Sequence, residues 1–157
     1  MSSTHRTAVL VIDVQQALCT GEHAAFEADL VVERINRVTR KARAAGAPVV
    51  VIQHESHDGP LAHGSAGWTL ARGLETLPTD VLLRKTATDS FHRTELNDLL
   101  QARGVTHLVI CGMQSDFCVD TTTRRALALG YPVSLVSDGH TTTDNAVLTA
   151  AQITAHH

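Results

Sequence analysis

The chain has 157 residues, 43% of them hydrophobic and 18% charged, with a formal net charge of −3. That length suits one domain spanning 1–157 with one substantial core, and the composition is too apolar for a disordered chain. The 13 Lys and Arg residues form no stripe or cluster, which argues against nucleic acid as a partner. No apolar run approaches the roughly 20 residues of a membrane helix, so no membrane partner is expected.

The first six residues run straight into a strand-like segment and leave no room for a signal peptide. Cys19, Cys111 and Cys118 are an odd number without metal-type spacing. A disulfide framework is therefore not expected, and a cytoplasmic location is.

In chain order, Ala8 to Asp13 is an apolar run ending in an acid, the pattern of a buried parallel strand. Asp29 to Ala45 carries Leu30, Val31, Ile35 and Val38 at helical spacing, and Gly46 with Pro48 ends it. Pro48 to Gln53 reads as a second strand. A long polar segment follows, His54 to Pro78, with a short helix expected over Trp68 to Leu74; loops of this length inside compact domains are usually functional. Val81 to Arg84 is a third strand leading into Lys85. Thr94 to Arg103 is a helix, Thr106 to Cys111 a fourth strand, Asp116 to Leu129 a helix and Tyr131 to Val136 a fifth strand. Asn145 to His157 is a last helix. The chain stops inside that helical pattern, which predicts either a C-terminal truncation or an absent edge strand. Strands alternating with helices imply right-handed crossovers and a mostly parallel, doubly wound sheet covered on both faces.

In open parallel sheets, ligands bind beyond the carboxyl ends of the strands. Asp13, Gln53 with His54, Lys85 and the Gly112–Cys118 segment all stand at such ends, on four different strands. Each alone has an ordinary explanation: a turn-forming Asp, a solvated Lys, a small buried Cys. Together they supply an acyl-transfer kit. A thiol in the first turn of a helix feels the positive end of the macrodipole, and a nearby Lys adds to that, so Cys118 is expected to carry thiolate near neutral pH. Asp13 can take the thiol proton and return it to a leaving amine, while free backbone N–H groups of the turn face the oxyanion. Cys111, at the end of an apolar strand, is expected to be buried and inert. Cys19 is expected in an exposed polar loop.

Three motifs in order resemble those of the isochorismatase-like cysteine hydrolases, which include nicotinamidases and N-carbamoyl amide hydrolases. They are VLVIDVQQ (Val9–Gln16), the Arg84-Lys85 to Ser90-Phe91 segment, and GMQSDFCVDTT (Gly112–Thr122). Ala126 to Gly130 and Val136 to Gly139 continue the likeness. The resemblance implies a three-layer α/β/α sandwich, with Asp13 as general acid/base, Lys85 stabilising the thiolate and Cys118 as nucleophile. It also implies a cis peptide at Met113–Gln114, an oxyanion hole from the backbone N–H groups of Gln114 and Cys118, and a homo-oligomer of two or more copies.

Members that open the vinyl ether of isochorismate lack the cysteine, so its presence here favours a C–N bond (amide, imide or carbamoyl) of a small molecule, cleaved through a thioester-type acyl-enzyme. Nicotinamidases carry an Asp-x-His metal site after the second strand. Here the stretch is Gln53-His54-Glu55-Ser56-His57, which lacks the aspartate; no metal and no cofactor are expected. Gln53, His54, Trp68 and Phe91 are candidates for the substrate pocket, Trp68 being equally suited to packing. The alternatives are a non-catalytic or scaffold member of the fold, a vinyl-ether hydrolase, and a nucleotide-binding domain. The last is disfavoured because no Gly-x-Gly-x-x-Gly follows the first strand.

Overall fold

The computed structural model describes residues 5–157. Its elements are β1 (Thr7–Ile12), α1 (Gln16–Cys19), α2 (Ala28–Ala44), β2 (Val49–His54), β3 (Val81–Lys85), α3 (Leu96–Ala102) and β4 (His107–Met113). A π-helical turn (Ser115–Val119) then leads into α4 (Asp120–Ala128), β5 (Val133–Thr141) and α5 (Ala150–His156). The five strands form one parallel sheet in the order β3-β2-β1-β4-β5.

Strand periodicity splits β1 between two cores. Ala8, Leu10 and Ile12 join Leu96 and Leu100 of α3 and Ala126 of α4 on one face. Val9 and Val11 meet Val31, Val32 and Ile35 of α2 on the other. The result is the three-layer α/β/α sandwich. Full burial of a side chain such as Ile35 or Leu100 stabilises the fold by about 1.5–3 kcal/mol.

Ile12 of β1 pairs with Gly112 of β4. A Cβ at Gly112 would stand 2.1 Å from the Ile12 carbonyl oxygen, and its φ of 125° lies in the region that favours glycine. The strand ends can approach this closely only because residue 112 has no side chain.

Several bounds differ from those read in the sequence. The segment from Trp68 to Leu74 is not a helix. Its backbone is committed elsewhere: Gln16 N–H donates to Thr69 O at 2.8 Å and Ala71 N–H to Val14 O at 2.9 Å. The expected helix from Asp116 is a π-helical turn followed by α4. β5 runs on to Thr141, because after a bulge it pairs again with β4 through Gly112–His140 and Met113–Thr141. α5 starts at Ala150 rather than Asn145. Asn145 Oδ1 accepts from the N–H groups of Val147 and Leu148 in a local turn, and Thr149 with Gln152 forms a capping box.

Candidate active site

The order β3-β2-β1-β4-β5 reverses direction between β1 and β4, and the candidate residues gather at the carboxyl ends around that point. Asp13 follows β1 in a left-handed conformation (φ 52°), one that Asp tolerates better than most residues. Lys85 ends β3, and Cys118 lies in the π-helical turn beyond β4. Lys85 is 1% exposed, a burial that a lysine tolerates only with partners. Its Nζ lies 3.0 Å from Asp13 Oδ2, 3.2 Å from Cys118 Sγ and 3.0 Å from His54 Nδ1, and donates to Ala87 O at 2.9 Å. Four neighbours share three ammonium protons, so no single bond owns any of them.

The loop after Lys85 is tied to the helix after Cys118. Ser90 N–H donates to Thr122 Oγ1 at 3.1 Å, and the two hydroxyls lie 2.9 Å apart.

Electrostatics set the resting protonation. Burial pushes the Cys118 thiol up to about 12; the Asp13 charge adds to the rise and Lys85 opposes it. The thiol rather than the expected thiolate is thus favoured near neutral pH: at 8% exposure, desolvation together with the Asp13 charge outweighs the lysine. Burial and the Lys85 charge lower the His54 pKa, so its imidazole is neutral and Nδ1 accepts from Lys85.

Asp13 Oδ1 and Trp68 Nε1 are buried without a hydrogen-bond partner among the described residues. The Gln114 carbonyl takes the N–H groups of Phe117 and Val119. The Met113–Gln114 peptide is cis.

The profile of the isochorismatase domain matches residues 7–155. The chain belongs to the isochorismatase family. A streptothricin hydrolase of Streptomyces noursei is 43% identical over 138 residues, covering 87% of this chain and 50% of that protein. Ureidoacrylate amidohydrolase RutB of Caulobacter vibrioides is 29% identical over 169 residues, covering 84% of this chain and 75% of that one. The isochorismatase-family chain spans about half the length of the streptothricin hydrolases it matches. Among solved structures, one of an isochorismatase family protein superposes with a TM-score of 0.90 at 40% identity, covering 96% of this chain and 90% of that one. N-carbamoylsarcosine amidase from Thermoplasma acidophilum gives 0.79 at 27% identity, over 86% and 83% of the two chains.

Against this family frame, the structure brings Asp13, Lys85, Cys118 and His54 together. Phe91 is 8% exposed, as Cys118 is, and stacks on Tyr131 with ring centroids 6.2 Å apart. The Gln53 side chain donates to Trp68 O at 3.1 Å and so holds the loop. Cys19 is buried instead of exposed: α1 turns its Sγ to 3.6 Å from Met113 Sδ, and burial pushes its pKa to about 11. Cys111 is buried, its pKa pushed to about 12.

Gln15, in the first motif, is a structural residue of the site that its type alone does not reveal. Its fully buried side chain donates to His54 O at 2.9 Å and Trp68 O at 2.8 Å, and accepts from His54 N–H at 3.0 Å. Its position two residues after Asp13 was the available signal.

For a metal, the donor set is Asp13, His54 and Cys118, whose ligand atoms lie within 4.8 Å of one another. The Lys85 Nζ lies 3.0, 3.0 and 3.2 Å from their donor atoms, so a divalent ion held by them would stand beside a fixed cation. The residues do not fit a metal while Lys85 stays charged. His57 turns elsewhere, lining a separate cavity of about 550 Å³ with Glu55, His63 and Arg84.

Proposed function

We propose that the chain is a cysteine hydrolase that cleaves a C–N bond of a small amide, imide or carbamoyl compound through a thioester on Cys118. The observation that carries this reading is the Lys85 ammonium set between Asp13 and Cys118, at 3.0 and 3.2 Å. The raised thiol pKa makes the resting enzyme Asp13 carboxylate plus Cys118 thiol. On attack, the Cys118 proton passes to Asp13 and Sγ bonds to the carbonyl carbon. The Lys85 charge and the N–H groups of Gln114 and Cys118 stabilise the anionic intermediate. Asp13 then gives the proton to the departing nitrogen, the C–N bond breaks, and water hydrolyses the thioester with Asp13 as base. The unpaired Asp13 Oδ1 and Trp68 Nε1 are an acceptor and a donor available to the substrate.

The names of the relatives, a streptothricin hydrolase, an amidohydrolase and an amidase, agree with C–N chemistry. The test is ammonia or amine release from a panel of small amides and carbamoyl compounds. Cys118→Ala should abolish turnover, and Asp13→Asn should slow it roughly a hundred-fold or more through lost proton transfer. A Cys118→Ala protein with wild-type turnover would end this reading.

A homo-oligomer belongs to the same proposal. Phe117, beside Cys118, is about half exposed, as is Phe26, and both are side chains a second copy would cover. Light scattering that returns a 16.8 kDa particle at micromolar concentration would remove it.

A further inference from the structure

The turn that carries Cys118 is anchored from β5 by side chains. Ser115 Oγ and His140 Nδ1 lie 2.7 Å apart, both buried, at 0% and 3% exposure. The next two residues of β5 and its exit also bond outward. Thr141 Oγ1 donates to Phe26 O at 2.5 Å, and Thr142 Oγ1 to Asp116 Oδ1 at 2.7 Å. Gln114 is therefore clamped on both sides: Met113 pairs with Thr141 through the sheet, and Ser115 is held by His140.

A buried polar pair of this kind is not needed for packing, since an apolar pair of the same shape serves a core equally well. What the pair adds is direction. It fixes the rotation of the backbone on the C-terminal side of the Gln114 N–H.

We infer that His140 is a positioning residue for acyl transfer, holding the Gln114 N–H on the oxyanion through its bond to Ser115. The inference rests on the cysteine-hydrolase reading above. It gives β5, which contributes no group to the chemistry itself, a definite part in the reaction. An oxyanion donor is worth roughly a hundred- to a thousand-fold in rate, and a shift of about 1 Å in such a group costs about a hundred-fold. Loss of the His140 bond, which loosens the donor without removing it, belongs at or below the lower end of that range.

Two reactions of the same thiol separate this effect from general damage. With p-nitrophenyl acetate, Sγ bonds to the carbonyl carbon, the thiol proton goes to Asp13 and nitrophenolate leaves, so an oxyanion forms on the way. With iodoacetamide, the thiol proton likewise goes to Asp13, Sγ displaces iodide at a methylene carbon, and no oxyanion forms. In the full chain at pH 7, His140→Ala should slow nitrophenolate release by about ten- to a hundred-fold while leaving carbamidomethylation of Cys118 within about twofold. Ser115→Ala, a smaller change, should do the same. His140→Asn, whose amide can still meet the Ser115 hydroxyl, should recover most of the loss.

Equal slowing of both reactions by Ser115→Ala, unchanged acylation in the variants, or an Asn variant no better than Ala would each overturn the inference. The reading beneath it is judged separately by the parent protein against Cys118→Ala. Nitrophenolate release that does not depend on Cys118 would remove the reading, and the inference with it.

Discussion

Lys85 is the residue on which the site's energetics turn. Its ammonium and the Asp13 carboxylate are both almost fully buried and 3.0 Å apart, so each is the other's main compensation for lost hydration. Removing one partner leaves an uncompensated buried charge. Lys85→Met, which keeps the volume, should therefore destabilise the protein by about 3–5 kcal/mol in urea unfolding. The double variant Asp13→Asn/Lys85→Met should regain most of that. If the double variant is as unstable as Lys85→Met, the ion pair is not the cause. The same ammonium bears on metals: because it occupies the centre of the Asp13, His54 and Cys118 donors, incubation with a chelator should leave turnover unchanged. Loss of turnover on chelation that zinc restores would promote His54 to a ligand. Asp13, Lys85 and Cys118 were legible as candidates because they stand together at the carboxyl ends of strands within three ordered motifs, although each alone is ordinary. The protonation of Cys118 was not, since the macrodipole argument is local whereas desolvation depends on the whole fold around the thiol.

At the scale of elements, the site depends on how closely β1 and β4 approach. Asp13 and the Cys118 turn leave these two strands at Ile12 and Gly112, which are paired. Gly112→Ala would place a Cβ against the Ile12 carbonyl at 2.1 Å and force a side chain into a φ of 125°. Strain and overlap together should destabilise the fold by about 3 kcal/mol or more. Gly130→Ala makes a useful comparison, because its φ is also positive (95°) but a Cβ there meets nothing within 4 Å. Equal losses at the two positions would show that backbone conformation alone, and not the strand approach, sets the cost. The strands themselves were readable from their apolar runs, and α2 from its helical spacing. The stretch around Trp68 was not. Its backbone bonds go to Val14 and Gln16, more than fifty residues earlier, and no local pattern announces such a partnership. α1 and the buried Cys19 were missed for the same reason: a four-residue helix has too little period to detect, and its packing partner Met113 is remote in sequence.

At the scale of the whole molecule, the three cysteines give the fold a shared response to alkali. Burial raises Cys19 to about 11 and both Cys111 and Cys118 to about 12, from an ordinary value near 9. The folded state thus holds these protons more tightly than the unfolded chain does. Below pH 9 both states are protonated and the full stability is present. As pH rises from 9 toward 11–12 the unfolded chain alone releases its thiol protons, and stability falls. Each thiol contributes about 1.4 kcal/mol per pH unit within that window, so the three together set a slope of about 4 kcal/mol per unit. Burial also raises Tyr131, whose ordinary value is 10, and its contribution has the same sign but begins higher. Urea unfolding at quarter-unit steps from pH 8 to 9.5 therefore reads mainly the cysteines. Stability should be level to about pH 8.5 and then drop with increasing steepness. In Cys19→Ala/Cys111→Ala the baseline stability will be lower because two side chains are truncated, but the alkaline slope should shrink to about a third, the share of Cys118 alone. A double variant whose slope matches the parent protein would show that the buried thiols do not govern the alkaline limb.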